Sequence, residues 1–196
     1  GSKENIADFI PNRKFEFVEA DLRDYDACRR AAAGMDIILH QAVLGSVPRS
    51  VQNPIATNDY NINGTLNIFY AAKENNIKKI VFASSSSTYG SNTELPKLED
   101  KIGEPLSPYA VTKLVNELYA RVFSRLYNFS YIGFRYFNVF GPRQSPEGPY
   151  AAVIPIFFRD MMAGKSPLIN GDGEQSRDFT YVENVVDINI STIFND

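Results

Sequence analysis

The sequence predicts an α/β fold in which a parallel sheet carries helices on both faces. Short apolar runs, such as residues 80–82, alternate along the chain with longer segments whose apolar residues recur at helical spacing. Hydroxyl side chains at residues 84–88 follow one apolar run directly, which places them at the carboxyl edge of a parallel sheet. Open α/β sheets bind their ligands at that edge. The 196 residues are enough for one domain with a sizeable core.

Composition excludes several classes of function. A net charge of −3 gives no general attraction to nucleic acid or to an anionic membrane, so we expect neither as a partner. His40 is the only histidine, which excludes a multi-histidine metal site, and we expect no bound metal. Cys28 is the only cysteine and excludes an internal disulfide. With no visible signal peptide and no apolar run of membrane-spanning length, these features predict a cytoplasmic protein.

The first half of the chain is expected to form two short strands and two helices, with a loop or short helix over residues 48–54. The predicted strands cover 14–19 and 36–39, and the predicted helices cover 25–33 and 59–74. Gly34 ends the first helix. The second helix carries its apolar residues on one stripe, which consists of Ile62, Leu66, Phe69 and Ala72.

The second half is expected to alternate strand and helix three times, with a polar, proline-bearing loop over residues 91–108. The predicted strands cover 78–83, 131–136 and 168–170, and the predicted helices cover 109–127, 150–162 and 181–194. The longest of these helices is expected to carry an apolar face formed by Leu114, Leu118, Val122, Phe123 and Leu126.

Tyr109 and Lys113 form the first pair of residues with a chemical meaning. Four residues make about one helical turn, so the phenol and the ammonium project from the same helix face. A free tyrosine has a pKa near ~10, and a cation within a few ångströms stabilises the phenolate and lowers that pKa. The pair is therefore a candidate proton acceptor for an alcohol. Taken alone, the spacing also fits a surface lysine beside a half-buried tyrosine.

Further motifs surround this pair, and together they resemble the extended short-chain dehydrogenase/reductases. The motifs are the serine run after the strand at 78–83, Tyr-x-x-x-Lys at 109–113, Arg135-Tyr136-Phe137-Asn138-Val139-Phe140-Gly141-Pro142, and Arg177-Asp178-Phe179. Within that family the chain is most similar to the nucleotide-sugar 4-epimerases. The stretches that look like the branch acting on UDP-N-acetylhexosamines are His40-Gln41-Ala42, residues 45–50 and residues 170–173.

The resemblance implies catalytic roles for Ser85, Tyr109 and Lys113. Tyr109, as phenolate, would take the proton from the sugar 4-hydroxyl with the help of Ser85, while carbon 4 exchanges a hydride with NAD. Lys113 would lower the pKa of Tyr109 and bind the nicotinamide ribose.

The resemblance also implies an NAD site at the sheet edge, made of Asp21, Leu22, Gln41, Ala42, Val43, Asn61, Ser84, Tyr109, Lys113 and Tyr136. Asp21 and the next residue would lie beside the adenine, and Asn61 would hold backbone near the cofactor. For Asp21 alone, capping of the next helix is the alternative. The sequence contains no Gly-x-x-Gly-x-x-Gly loop to cradle the pyrophosphate, so we expect an incomplete NAD site.

A UDP-sugar is the implied partner, and the matching substrate positions are Ser46, Ser85, Ser86, Asn138, Ala152, Val153, Asn170 and Arg177. Asn138 would meet the diphosphate or uridine, and Ala152 would lie near the uracil. Arg177 would grip a phosphate, because guanidinium donates paired hydrogen bonds. Ser46 also fits an ordinary loop serine, and Arg177 also fits a surface ion pair.

The implied architecture is a Rossmann-like sheet that is truncated at its N-terminus. Residues 1–140 would form a partial NAD-binding domain, and residues 141–196 would form part of a small C-terminal substrate-binding region. The strand at 14–19 would be the third in a sheet of order 3-2-1-4-5-6 and would lack its neighbours, so it must detach, repack or pair with another chain. By analogy, helices at 59–75 and 109–127 would pair across the axis of a homodimer or within a higher homo-oligomer.

The functional prediction is NAD-dependent 4-epimerisation of a UDP-hexose, with UDP-N-acetylglucosamine and UDP-N-acetylgalactosamine as the favoured pair. The choice between an N-acetylated and a plain hexose stays open. A related dehydratase or decarboxylase is disfavoured, because residues 85–89 contain no carboxylate. The alternative from another class is a non-catalytic remnant that binds a sugar nucleotide, which the missing phosphate loop supports.

Overall fold

A three-stranded parallel sheet lies at the centre of the fold. The structure is a computed structural model that describes residues 2–148 and 151–195. The strands are β1 (Ile37–His40), β2 (Lys79–Ala83) and β3 (Ser130–Phe134), in the order β1-β2-β3. They lie close to the strands predicted at 36–39, 78–83 and 131–136. The central strand, β2, is almost wholly buried, as expected for a parallel strand covered on both faces.

The described part of the chain contains seven α-helices: α1 (Tyr25–Ala31), α2 (Val47–Gln52), α3 (Pro54–Asn58), α4 (Gly64–Glu74), α5 (Pro108–Tyr127), α6 (Val153–Met162) and α7 (Val182–Phe194). A π-helical turn, Asp59–Asn63, leads into α4, and a 3₁₀ turn, Ser86–Tyr89, follows β2. Most of these helices match the predictions. The helix predicted from residue 150 begins at Val153, and residue 150 itself lies outside the described residues.

Opposite faces of β2 contact different helices. Ile80 and Phe82 point to the core between the sheet, α4 and α5. Lys79 points to the other face, because side chains alternate along a strand. Its Nζ donates to the carbonyls of Thr192 at 3.0 Å and Asn195 at 2.7 Å, at the C-terminal end of α7. A cation is favourable at that end of a helix, so Lys79 fixes α7 beneath the sheet.

Phe69 of α4 is fully buried and occupies the middle of the core. Its ring centroid lies 5.7 Å from that of Phe82, 6.1 Å from that of Phe123 and 6.4 Å from that of Phe129. This one side chain therefore joins α4 to the sheet and to α5.

We predict that Phe69→Ala lowers the free energy of unfolding by about 3–5 kcal/mol, because it removes the central ring and leaves a cavity. Urea denaturation of the 196-residue chain measures the change. The matched control is Phe158→Ala on α6, whose side chain is 66% exposed. A loss no larger than that of the control would contradict the central position of Phe69.

Two predicted strands are wrong. Residues 14–19 form no strand, and Phe17 and Val18 are about half exposed. No described strand pairs with this segment, and it contacts the N-terminal residues through the Phe9–Phe15 ring contact and the Lys3–Glu19 ion pair. Its pairing with another chain stays a prediction. Residues 168–170 also lack strand structure. The second described sheet instead pairs β4 (Val139–Phe140) with β5 (Thr180–Tyr181), in parallel.

Most of the apolar face predicted for α5 does not face the core. Val111, Leu118, Val122 and Leu126, which we call the α5 stripe, are between 46% and 66% exposed. The buried side of the helix consists of Ala110, Thr112, Lys113, Asn116, Ala120 and Phe123. Small and polar side chains let the helix approach the sheet closely, and hydrogen bonds satisfy the buried polar groups. Only Phe123 of the predicted face belongs to the core.

None of the helices in the described ranges is both long and apolar enough to cross a membrane.

Candidate active site

The N-terminus of α5 brings Tyr109 and Lys113 to the carboxyl end of β2. Ser107 caps the helix by accepting a hydrogen bond from the Ala110 N–H at 3.1 Å, and Pro108 occupies its first turn. Tyr109 is therefore in the first turn and Lys113 one turn later. The Lys113 Nζ donates to the carbonyl of Ala83, the last residue of β2, at 2.7 Å.

Lys113 is 2% exposed, and burial lowers its pKa to about 8. An ammonium has three N–H donors, and within the described chain the Ala83 carbonyl is the hydrogen-bond acceptor of one of them. The remaining donors can reach hydroxyl groups of a ligand placed at the sheet edge.

Ser85 lies at the start of the turn that follows β2. Its Oγ accepts hydrogen bonds from the Ser87 N–H at 3.1 Å and from the Ser87 hydroxyl at 2.9 Å. Ser87 thus occupies both acceptor positions of this oxygen and leaves the Ser85 O–H as a donor, and the nearby Ser85 side chain acts to lower the pKa of the Tyr109 phenol. The structure thus brings all three predicted catalytic side chains to one place.

Burial and Ser85 are the influences on the pKa of Tyr109 in the ligand-free chain, and the effect expected from Lys113 stays a prediction. Burial raises the pKa of Tyr109, while the hydrogen bond with Ser85 acts in the lowering direction. The Lys113 Nζ points to the Ala83 carbonyl and lies 5.9 Å from the centroid of the tyrosine ring. Tyr109 is therefore a neutral phenol at pH 7, and it needs a further positive charge nearby before it can accept a proton efficiently.

Asn61 ties the turn after β1 to α5. Its Oδ1 accepts from the Leu44 N–H at 2.8 Å, and its Nδ2 donates to the Thr112 hydroxyl at 3.1 Å. The π-helical turn that carries Asn61 directs this side chain into the interior, where it is 1% exposed. Gln41, Ala42 and Val43 are exposed in the turn that Asn61 holds.

His40 ends β1 and is buried beneath this turn. Its Nε2 lies 2.9 Å from the Thr65 hydroxyl. Burial lowers the pKa of His40 to about 4, and the positive charge of Lys113 acts in the same direction. The imidazole is therefore neutral in the folded chain at pH 7.

This neutral imidazole predicts an acid-sensitive fold. Below pH 6.5 the unfolded chain binds a proton at His40, whereas the folded chain binds this proton only near pH 4 and below. Stability therefore falls as the pH drops through this window, by up to about 3 kcal/mol from this group. Urea titrations at several pH values measure the fall. His40→Gln should flatten it, and an unchanged slope in that variant would contradict the assignment.

Tyr136 and Gln41 both form hydrogen bonds with Asn189 of α7. The Gln41 Nε2 donates to the Asn189 Oδ1 at 3.1 Å, and the Asn189 Nδ2 donates to the Tyr136 hydroxyl at 2.6 Å. Asn189 is 7% exposed. Sequence reasoning missed it, because a single asparagine in an apolar helix carries no motif.

Asp21 lies at the other end of the site. The Arg23 guanidinium binds its carboxylate, with the closest contact at 2.7 Å, and holds the pKa of Asp21 at about 2. Arg23 also reaches Asp59 at 2.9 Å and stacks on the Tyr60 ring at 3.9 Å. The alternative that Asp21 caps the next helix is wrong, because Asp24 caps α1.

Leu22 is held by its backbone. Its carbonyl accepts from the Asn67 Nδ2 at 2.9 Å, and its side chain packs against the core. The segment that carries Asp21 and Leu22 therefore lies against α4 although it forms no strand.

One predicted substrate position, Ala152, lines a cavity of about 270 Å³ between α2 and the start of α6. Arg49 and Ala152 line it, and the Ser46 hydroxyl caps α2 by accepting from the Arg49 N–H at 3.2 Å. Val153 begins α6 beside Ala152. Gln144 also lines the cavity, and its Oε1 is the one buried side-chain oxygen in the described residues without a hydrogen-bond partner.

The remaining substrate positions are more dispersed. The Ser86 N–H donates to the Tyr136 carbonyl at 3.0 Å, so Ser86 stays within the serine turn. Asn138 donates to the Asp178 carbonyl at 3.0 Å beside the β4–β5 pair. Asn170 and Arg177 are exposed, and the structure places neither in contact with the serine turn.

Within the described ranges, no three His, Cys, Asp or Glu side chains are grouped as a metal ion would require.

The chain is similar in sequence to proteins named as nucleotide-sugar epimerases. A family model described as the NAD dependent epimerase/dehydratase family matches residues 2–195. A putative UDP-glucose 4-epimerase from Methanocaldococcus jannaschii is 43% identical over 195 residues, which are 98% of this chain and 62% of that protein.

Solved structures agree with this match. UDP-N-acetylglucosamine 4-epimerase from Methanobrevibacter ruminantium M1, in complex with UDP-N-acetylmuramic acid, is 46% identical with a TM-score of 0.91, over 97% of this chain and 61% of that one. UDP-glucose 4-epimerase from Thermotoga maritima, with UDP-glucose, is 35% identical with a TM-score of 0.88, over 93% and 60% of the two chains. The chain thus spans about 60% of the length of these relatives. It belongs to the NAD-dependent epimerase/dehydratase family, and its parallel sheet with flanking helices is the Rossmann-like fold of these epimerases.

Proposed function

We propose that this chain provides the proton-transfer residues of an NAD-dependent UDP-hexose 4-epimerase. The observation that carries the proposal is the convergence of Ser85, Tyr109 and Lys113 at the carboxyl end of β2. A phenol, a hydroxyl that donates to it and a buried ammonium are what the oxidation of a secondary alcohol requires from a protein.

The residues at the sheet edge fit the nicotinamide-ribose half of NAD. The buried Lys113 ammonium has N–H donors left for ribose hydroxyls, and the exposed turn at residues 41–43 lies next to it in the fold. The sequence has no Gly-x-x-Gly-x-x-Gly loop, so the residues of this chain offer no such cradle for the pyrophosphate. When bound, NAD supplies the acceptor and donor of the carbon 4 hydride.

Each residue then has a defined task. Once ionised, Tyr109 accepts the proton of the sugar 4-hydroxyl, and the resulting phenol returns this proton when carbon 4 is reduced. Ser85 donates to the phenol oxygen and keeps the reacting hydroxyl in line with it. Lys113 holds the N-terminal turn of α5 against the end of β2 through the Ala83 carbonyl and binds the ribose. The 4-keto sugar presents its second face for reduction, which inverts carbon 4.

Epimerisation without further chemistry is favoured over dehydration. A dehydratase needs an additional acid and base near the oxidised carbon, and residues 85–89 contain no carboxylate. The carboxylate next to this turn belongs to Glu117. It is paired with Arg135 at 2.8 Å and accepts a hydrogen bond from Ser84, so it is not available as a free acid or base.

We further propose a UDP-N-acetylhexosamine as the substrate. The similarity to the 46% identical UDP-N-acetylglucosamine 4-epimerase supports this choice.

A hybrid enzyme tests both the proposed epimerase activity and the proposed substrate. Residues 3–195 of this chain replace the matching region of the Thermotoga maritima UDP-glucose 4-epimerase, and NMR follows UDP-N-acetylglucosamine and UDP-glucose with added NAD. The parent enzyme gives the baseline for each sugar. We expect the hybrid to gain activity on UDP-N-acetylglucosamine relative to the parent. A folded, NAD-binding hybrid that is inactive on both sugars would reject the epimerase proposal. Activity on UDP-glucose alone would reject the substrate.

We also propose that the α5 stripe pairs with a second copy of the chain. Its four apolar side chains are about half exposed along one side of the helix, which is costly in water unless a partner covers them. Size-exclusion chromatography with light scattering should give a dimer that Leu118→Glu dissociates. A monomer in both proteins would contradict this pairing.

A further inference from the structure

An ion pair lies directly behind the serine turn. Arg135 follows β3 and binds Glu117 of α5 through two hydrogen bonds, Nε to Oε1 at 2.9 Å and Nη2 to Oε2 at 2.8 Å. The two side chains are only 15% and 16% exposed. The third guanidinium nitrogen, Nη1, donates to the Glu99 carbonyl at 2.8 Å, so Arg135 is held in one orientation.

Glu117 connects this pair to the residue before Ser85. The Ser84 hydroxyl donates to the Glu117 Oε1, which also accepts from the Arg135 Nε. Glu117 lies one helical turn after Lys113 on α5, the helix that carries Tyr109. The carboxylate therefore joins the serine turn to the helix that bears the phenol.

Arg135 connects to the end of the same turn. Its guanidinium carbon lies 4.9 Å from the centroid of the Tyr89 ring, and Tyr89 closes the 3₁₀ turn that begins at Ser86. The backbone carbonyl of the next residue, Tyr136, accepts a hydrogen bond from the Ser86 N–H at 3.0 Å. Hydrogen bonds thus hold the Ser84 side chain immediately before Ser85 and the Ser86 backbone immediately after it.

We propose that Glu117 and Arg135 are positioning residues that hold the turn at residues 84–89 against α5, so that the Ser85 hydroxyl stays aligned with the Tyr109 phenol. Neither residue needs to touch the substrate for this role. The catalytic consequence rests on the proposed function, but the alignment itself can be measured in the ligand-free chain.

The protonation of Tyr109 reports this alignment. Its hydrogen bond with Ser85 lowers the pKa of the phenol, against the effect of burial. A turn that drifts from α5 loses this contact, and the pKa of Tyr109 then rises. If Glu117 acted on Tyr109 only through its charge, its removal would lower the pKa of Tyr109, because the Arg135 cation would remain without its counter-ion.

The experiment uses the 196-residue chain labelled with fluorotyrosine, with Tyr109 assigned by the signal that Tyr109→Phe removes. Fluorine NMR titrations then follow Tyr109 in Ser85→Ala, Ser84→Ala and Glu117→Gln. We expect all three to raise its pKa by a similar amount. The double variant Glu117→Gln with Ser85→Ala should add no further rise, because both changes remove the same hydrogen bond.

Two control variants separate alignment from general stability. Ser124→Ala removes a hydrogen bond to the Phe129 carbonyl at the far end of α5, and Glu94→Gln removes an exposed ion pair with Lys101. Both should leave the pKa of Tyr109 unchanged. If Glu117→Gln does not fold, Ser84→Ala decides, because it leaves the ion pair intact.

An unchanged pKa of Tyr109 in Ser84→Ala and in folded Glu117→Gln, with a rise in Ser85→Ala, would overturn the proposal. An additive rise in the double variant would also overturn it. An inactive hybrid enzyme with the expected pKa shifts would reject the proposed function and leave the positioning role in place.

Discussion

Tyr109→Phe in the hybrid enzyme should lower turnover of the UDP-sugar by about 10²–10⁴-fold, the usual worth of a positioned acid or base. Phenylalanine keeps the ring that packs at the start of α5 and removes only the oxygen that Ser85 contacts. Substrate affinity should change little, since the loss concerns proton transfer. Initial rates and the calorimetric Kd of the UDP-sugar measure the two effects separately.

The matched control is Tyr127→Phe at the C-terminal end of the same helix, which should keep wild-type turnover. Retained activity in Tyr109→Phe would mean that another group takes the proton. The roles of Ser85 and Lys113 would then fall as well, because both are argued through this phenol.

Lys113→Met should have opposite effects on stability and on chemistry. Burial without a counter-ion lowers the pKa of Lys113 from 10.5 to about 8, which costs about 3 kcal/mol at neutral pH. Methionine removes this cost and leaves the Ala83 carbonyl without its donor, a loss of about 1 kcal/mol. We therefore expect the 196-residue chain to gain about 2 kcal/mol of stability at pH 7, while the hybrid enzyme loses most of its turnover.

The pH dependence of folding stability tests whether the buried Lys113 ammonium causes this difference. Between pH 8 and 10.5 the unfolded chain binds a proton at Lys113 that the folded chain has released, so the wild-type chain gains stability as the pH rises through this window. The advantage of Lys113→Met should shrink over the same range. A variant that is less stable than the wild type at pH 7 would show that the ammonium is a structural requirement of the fold.

The strands and helices that the sequence predicted correctly have strong local signals. Residues 78–83 are a short apolar run that ends in hydroxyl residues, and they form β2. Residues 14–19 have a similar pattern but no described neighbour to pair with, and a strand without a partner does not persist. The two-residue strands β4 and β5 are too short for any periodicity. The division into two domains at residue 140 stays a prediction.

Hydrophobic periodicity located α5 but not its buried side. Leu118 and Val122 fit a core stripe by spacing, yet both are about half exposed, because Thr112, Lys113 and Asn116 occupy the buried side. Periodicity reports an apolar face and does not say whether that face meets the core or another molecule.

The candidate site was predictable to the extent that its residues form motifs. The spacing of Tyr109 and Lys113 anticipated their common location, but the raised pKa of Tyr109 depends on burial, which no spacing reports. Glu117 repeats the four-residue step from Lys113 and could have been noticed on that ground. Asn189 comes from a distant helix and needed the folded chain to be found.

The central claim is that carbon 4 is oxidised and reduced again within the site, with Tyr109 handling only the hydroxyl proton. The most direct measurement is turnover of UDP-N-acetylglucosamine by the hybrid enzyme in heavy water, followed by NMR of the product. We expect the 4-epimer to carry no deuterium on carbon, because the carbon 4 hydrogen moves as hydride and never meets solvent. Deuterium at carbon 4 of the product would contradict the mechanism and show that a proton is exchanged there instead.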